Sequence, residues 1–522
     1  MPTPHPLPVS DLRSLFDWRC EHSSRATAIV QLRTDGSPIA ELTYADLRAR
    51  VGGLAAELVR ITQPGDRVLM LMPAGVSWVV TFWACVVSGR VAVPLAAPRG
   101  DRHRSGLDRL RDLAQDAGAT VVCAPPDHPL QAAGAVEPGW TWFTVPDEPV
   151  PGAWPALPRP EGKAIAYLQY TSGSTGQPRG VMLSHANVLA QGEVMLQRSG
   201  FDEDTRMLCW LPLFHDYGLV SGVLLPFMAG GRCEFYPTLA FLKDPLNWWT
   251  TASVRGSTHT CGPHFAYAAS VRAMQAQPGW RADLSALRFV SCGAEPIHAD
   301  TVRDWWRVTA PMGLRPNVFA PAYGMAETVL GLTGHVLTSG EPVRLIPLDA
   351  QALLDGRAVL RPEGEAEGDG KGDVDGVRTL VSCGPPGPGV ELRIVCPETA
   401  RVLGDGDVGE VWVRGGTVGQ GYWGKPEQSE RTFTARTADG DGPWLRTGDL
   451  GFLLDGELCI TGRSKDLIIV RGRNVHPHDI EWTAARAHPA CMGGVGAAFS
   501  FEGSAQGVLG EQLVLVHEVA RS

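Results

Sequence analysis

The stretch YTSGSTGQPRG (residues 170–180) sets the hydroxyls of Thr171, Ser172, Ser174 and Thr175 around Gly173 and Gly176, then adds Arg179. A loop that only had to turn needs two or three such residues. This one offers successive backbone N–H groups, four hydroxyls and a guanidinium, a donor set suited to a polyphosphate. It is not a Walker A loop, because G-x-x-x-x-G-K-[ST] cannot be aligned to it, and it is not a nucleophile elbow, because G-x-S-x-G is absent. The following SHANVLAQ reads as a helix whose dipole adds support from behind. From these residues alone, a flexible Ser/Gly linker is an equal reading.

Two other stretches invite chemistry and fail. GDGDVG (404–409) matches G-x-G-x-x-G, but it precedes a strand and opens no helix, so it reads as a hairpin turn. EGEAEGDGKGDVDG (363–376) is rich in Gly and acid. With Gly376 at the glycine of a calcium loop, Lys371 and Ser382 fall where acids are required, so a mobile loop is the reading.

The elements around the loop follow a clear rhythm. In LTYADLRARVGGLAAELVRI, Leu47, Val51, Leu54 and Leu58 recur at helical spacing behind Thr43, a candidate N-cap. GDRVLMLMP, RVAVPLAAP and TVVCAPP read as strands, separated by the apolar helix SWVVTFWACVVSG (77–89) and by RLRDLAQDAGA. Strands alternating with helices to about residue 330 predict an α/β fold with mostly parallel sheets. From 380 to 462 the short runs VELRIV, GEVWVRG and GELCITG predict a small β subdomain, and a new unit starts near GRSKDLIIVRGRN.

At 522 residues the chain exceeds one ordinary domain, and 44% hydrophobic residues with 20% charged is globular composition. A net charge of −10 argues against nucleic acid as a partner. Eleven scattered cysteines give neither a disulfide framework nor a zinc site. MPTPHPLPVSDL lacks the signal-peptide pattern, and residues 77–89 are too short to span a bilayer, which predicts a soluble cytoplasmic protein.

Six motifs in order now bear on the loop: TSGSTGQPRG, LPLFHDYGL (211–219), SCGAEPI (291–297), AYGMAET (322–328), RTGDLG (446–451) and GRSKDLIIVRGRN (462–474). Together they resemble the signatures of the adenylate-forming superfamily. Within it, WLPLFHDYGLVSGVLLPFMAGG, FLKDPLNWW, GPHFAYA and DLIIVRGRNVHPHDIE look most like fatty acyl-AMP ligases. The gap of about fifty residues between YGMAET and VSCGPP resembles the insertion of ligases that reject free coenzyme A, although a long surface loop is equally cheap.

The resemblance implies ATP and Mg2+ as cofactors, a fatty acid as substrate and a phosphopantetheinylated acyl carrier protein as acceptor. It places the β- and γ-phosphates on residues 171–176, with Arg179 where many relatives have Lys. Glu327 matches the magnesium ligand. Tyr323 matches the ring that packs on adenine, flanked by Ala322, Gly324 and Met325, with Gly293, Ala294 and Glu295 as the other wall. Asp449 matches the carboxylate that accepts both ribose hydroxyls, and Arg463 a second ribose and phosphate contact. Lys465 matches the hinge of a C-terminal domain that rotates between half-reactions. His215 matches the residue beside the incoming carboxylate, and with Glu327 and Arg463 it makes up the implied catalytic set. Gly262, His264 and Phe265 fall near the expected acyl tunnel, with His264 where these ligases usually have Asn. Trp248, Trp249, Trp305 and Trp306 are expected to prop that tunnel rather than line it.

The expected organisation is a large N-terminal domain over residues 1–463 and a partial C-terminal lid over 464–522. The former comprises a first α/β subdomain (1–165), a second (166–379, ending in the insertion 335–379) and a β subdomain (380–463). No lysine follows Lys465, so the lysine that contacts the α-phosphate in the family is missing and the lid is expected to be truncated. Adenylation is then expected to be slowed by orders of magnitude. Alternatives are a coenzyme A ligase, an acyl- or nucleotide-binding module without catalysis, and, least favoured, a Ser/His hydrolase.

Overall fold

Thr43 does cap its helix. In the computed structural model its hydroxyl accepts from Asp46 N–H while the Asp46 carboxylate takes the Thr43 N–H, a reciprocal box that opens the helix Tyr44–Ile61. Its apolar face, with Leu47, Val51, Leu54 and Leu58 buried, packs on the helix Val76–Val87, in which eleven of twelve residues are buried. That all-round burial explains an apolar run too short for a membrane. Among the described residues no helix is long and apolar enough to cross one. The structure describes residues 9–96, 103–126, 128–132, 139–146, 154, 159–172, 178–362, 376–470, 473–491, 494–505 and 508–519.

Two large sheets carry the body. The first has six strands in the order Thr141–Thr144, Val121–Ala124, Arg67–Met70, Val91–Pro94, Ile165–Ser172 and Pro178–Ser184, parallel except for the last pair. The second has eight, in the order Gly331–Gly334, Phe319–Gly324, Phe289–Gly293, His259–Pro263, Arg206–Cys209, Arg232–Phe235, Thr27–Leu32 and Pro38–Thr43. Its six central strands are parallel and each edge strand is antiparallel. This is the mixed α/β fold expected from the alternating pattern.

The division expected at residue 165 does not fall between the sheets. Strands 27–43 cross into the second sheet, while strands 165–184 close the first. Ile29 pairs with Cys233, 204 residues away, so local periodicity carries no sign of the exchange. Asn187 Nδ2 donates to the carbonyls of Gly416 and Val418, tying the first sheet to the following β subdomain.

That subdomain is a four-stranded antiparallel sheet of Val390–Val395, Gly409–Gly415, Leu445–Leu454 and Glu457–Arg463, and GDGDVG lies in the turn before its second strand. Beyond Arg463 come a 3-10 turn at Ser464–Asp466, the hairpin Ile468–Val470/Arg473–Val475, the helix Pro477–Ala487 and the hairpin Gly496–Ala505/Val508–His517. Residues 363–375 of the acidic stretch lie outside the described residues.

Candidate active site

Between the body and the last unit lies a cleft of about 1590 Å³. Ala294 and Glu295 form one flank, Ala322, Tyr323 and Gly324 the next, Asp449, Arg463 and Lys465 the floor, and the helix Pro477–Ala487 the roof. Eight of the residues singled out from the sequence therefore line one cavity. Strand order explains this convergence: Phe289–Gly293 and Phe319–Gly324 are parallel neighbours, so 291–297 and 322–328 emerge side by side at the same sheet end.

The last strand pair of the β subdomain places Asp449 directly opposite Arg463. Arg463 Nε donates to Asp449 Oδ1 at 3.0 Å and the Tyr323 hydroxyl donates to Oδ2 at 2.8 Å, so both carboxylate oxygens are oriented. Burial pushes the Asp449 carboxyl up, and Arg463 and Tyr323 pull it back. The Arg463 guanidinium is raised in turn by the Asp449 charge.

Glycine at 324 is a matter of space. A Cβ there would stand 1.8 Å from the Leu330 carbonyl oxygen. The same crowding shapes the turn bearing Glu327: Met325 N–H donates to Leu330 O at 2.9 Å, and Leu330 N–H donates to Thr328 O across Val329. Val329 has φ 68° and ψ −57°, a γ-turn of the strained hand and rare for a β-branched residue. Strain of about 1–3 kcal/mol is thus held two residues from the candidate magnesium ligand.

Glu327 does not face the cleft described above. It is 8% exposed and accepts from the Tyr422 hydroxyl at 2.8 Å, with Asp216 and Arg179 near enough for their charges to be felt. Burial raises its carboxyl and the Tyr422 bond opposes that rise. Arg179 pairs across the hairpin with Thr171, and its guanidinium lies 5.3 Å from the centre of the Tyr422 ring. Gly173, Ser174, Thr175 and Gly176 lie outside the described residues, and Ser172 is described by its backbone only. The strands flanking them are held fast: Tyr170 and Lys425 both bond Asp116, at 2.7 and 2.5 Å. Contrary to the sequence reading, SHANVLAQ does not start behind the loop. The strand Pro178–Ser184 intervenes, so the dipole of the helix His185–Ser199 acts a strand's length away.

His215 opens onto solvent, with its side chain 56% exposed, and Nδ1 lies 2.6 Å from Asp216 Oδ1. Partial desolvation by its neighbours works to lower its pKa, but the Asp216 bond and charge outweigh that, so its pKa is raised. The chain then passes through a π-turn at Val220–Leu224, an irregularity common near functional sites. His264 and Phe265 start the helix His264–Ala276, and Phe265 N–H donates to Glu295 at 2.9 Å. Gly262 is packed shut, since a Cβ would meet Trp248 at 2.9 Å and Trp210 at 3.2 Å. Trp248, Trp249 and Trp305 are fully buried, and the indoles of Trp248 and Trp249 donate to Thr260 and Ser270, as props would.

Sequence reading missed the contact between body and roof. His298 stacks on Trp482 at 3.9 Å, with His264 at 5.0 Å from His298 and His478 at 6.3 Å. Arg378 pairs with Asp479 at 2.8 Å, and Arg486 with Asp300. Burial lowers His264, His476 and His478 to about 4 and holds His298 well below its ordinary value. The string NVHPHDIEW, with two His and a Trp at close spacing, was the available signal.

A sequence profile described as AMP-binding enzyme matches residues 16–423. The chain belongs to that family. Proteins similar to it include a medium-chain-fatty-acid–[acyl-carrier-protein] ligase, JamA, of Moorena producens, 36% identical over 98% of this chain and 86% of that protein. A long-chain-fatty-acid–AMP ligase of Mycolicibacterium smegmatis, FadD32, is 36% identical over 93% of this chain and 81% of its own length. Among solved structures, the fatty acyl-adenylate ligase from L. pneumophila in complex with acyl adenylate and pyrophosphate superposes with a TM-score of 0.80 at 29% identity, covering 99% of this chain and 87% of that one. Membership makes the enzyme an ATP-dependent, adenylate-forming ligase.

Proposed function

We propose that this AMP-binding enzyme is a cytoplasmic fatty acyl-AMP ligase. A fatty acid carboxylate oxygen attacks the α-phosphorus of ATP, the bond to the β-phosphate breaks, and pyrophosphate leaves. A phosphopantetheine thiol of an acyl carrier protein then attacks the acyl carbonyl and AMP departs. The observation that carries this reading is Asp449, whose two oxygens are set by Tyr323 and Arg463 on the floor of a cleft with ample room for a nucleotide. A carboxylate so oriented suits the paired hydroxyls of a ribose.

Both reactants are anions, so the protein's work is alignment and charge neutralisation. Arg463 lies beside Asp449, the carboxylate for the ribose hydroxyls, and Arg179 flanks the phosphate loop across the hairpin from Thr171. Tyr323 and the Ala294–Glu295 wall bracket the base. His215, oriented by Asp216, stands where the carboxylate approaches. A buried carboxylate close to Arg179 of the phosphate hairpin suits a magnesium ion, and Glu327 is the residue that would hold it. Bound there, the ion would neutralise phosphate charge. Lys465, in the 3-10 turn between the β subdomain and the roof, is the hinge for moving the roof between half-reactions.

The test is mass spectrometry of protein, ATP, magnesium and a panel of fatty acids, with either free coenzyme A or a phosphopantetheinylated carrier protein. Acyl-AMP with acylated carrier is expected. Acyl-CoA formed in preference to acyl-carrier would overturn the acceptor, and absence of acyl-AMP would overturn the reaction.

A further inference from the structure

The segment 416–423 belongs to the β subdomain in sequence but lies against the strand that leaves the phosphate loop. Met182 N–H donates to Gly421 O, Gln420 N–H to Met182 O and Trp423 N–H to Gly180 O, an antiparallel stitch along Pro178–Ser184. On its other side Gly419 N–H donates to the Glu327 carbonyl. Tyr422 therefore hangs from a backbone tied to both the phosphate hairpin and the Glu327 turn.

Its side chain joins them again. The hydroxyl donates to Glu327 Oε1 at 2.8 Å and also bonds Arg179, whose guanidinium lies over the ring. The ring is 3% exposed and meets Phe433 edge-on at 5.2 Å, and the Tyr422 N–H is held by Ser429 Oγ at 2.8 Å. Ring, hydroxyl and backbone are thus all restrained, and the oxygen of Glu327 that the hydroxyl takes is Oε1.

We propose that Tyr422 is a positioning residue for the polyphosphate end of the nucleotide: between Arg179 and Glu327, its hydroxyl fixes the carboxylate rotamer that presents an oxygen to magnesium and couples it to the phosphate hairpin. The proposal rests on the adenylate-forming reading above. A bond that orients a metal-binding carboxylate is commonly worth about 10–100-fold in metal affinity. Packing alone predicts no such effect, because Tyr422→Phe keeps the ring, its contact with Phe433 and its stacking with Arg179.

Isothermal calorimetry separates the two. The purified protein and Y422F are titrated with AMP, and with a non-hydrolysable ATP analogue with and without magnesium. Y422F is expected to bind AMP as the parent does and to lose about tenfold of the affinity that magnesium adds. Glu327→Asp, which draws the carboxylate back from the hydroxyl and from the metal while keeping its charge, is expected to lose at least as much. It is also the second variant should Y422F not fold. In the double variant the losses should not add, since Tyr422 acts on the metal only through Glu327. An undiminished magnesium increment in Y422F, an equal loss of AMP affinity, or additive losses would each overturn the proposal. Failure of the parent protein to bind any adenine nucleotide would instead overturn the functional reading beneath it.

Discussion

Acid should lift the roof from the body. His264, His298, His476 and His478 meet at that contact, and burial lowers all four, three of them to about 4. The charges facing them are mostly of the wrong sign for protonation. Arg272 faces His264, Arg378 faces His298, His476 and His478, and Arg486 faces His298. With the roof raised, an exposed imidazole returns to about 6.5, so the open form binds more protons between about pH 6.5 and 4. Closure is therefore strongest above about pH 6.5 and weakens as pH falls.

For one imidazole going from about 6.5 to about 4, the loss between pH 7.5 and 5 is about 2 kcal/mol. Asp479 works the other way, because burial raises its carboxyl and lets the closed form take a proton, so the imidazoles govern the upper part of the window. The stack of Trp482 on His298 supplies the probe. The fluorescence of the protein minus that of Trp482→Phe isolates this indole, and acrylamide reports its exposure. Quenching of Trp482 should rise between pH 6.5 and 5, and His478→Gln should make the transition shallower. Constant quenching from pH 7.5 to 5 would refute the reasoning.

Other perturbations have definite expectations. Asp449→Asn leaves the Arg463 guanidinium without its ion pair and should weaken AMP binding by about tenfold or more in calorimetry, with little change in melting temperature. Gly324→Ala drives a Cβ into the Leu330 carbonyl, and should abolish nucleotide binding through displacement of the Glu327 turn. Gly262→Ala, pressed against Trp248 and Trp210, should cost about 1–3 kcal/mol in urea denaturation.

What the sequence disclosed was local. The Thr43 N-cap, the buried helix 76–87 and the strands at 67–70, 91–94 and 390–395 were legible because each depends on neighbours in the chain. The exchange of strands between the two sheets was not, because pairing at a separation of some 200 residues leaves no periodic trace. At the site, Asp449, Tyr323 and Arg463 were legible through motif resemblance, and the structure supplied their mutual orientation. Tyr422 escaped notice, since its partner Glu327 is 95 residues away and GQGYWGKP reads as a turn. The histidine contact escaped for the same reason: 264, 298 and 478 share no local pattern.

The most direct test of the central claim follows an oxygen atom. A fatty acid labelled with 18O in its carboxylate is incubated with ATP, magnesium and a thiol acceptor, and the phosphates are analysed by mass spectrometry. Attack of the carboxylate on the α-phosphorus predicts one labelled oxygen in AMP, on its phosphate, and none in pyrophosphate. Label retained wholly in the acyl product, or the appearance of ADP and labelled orthophosphate, would contradict it.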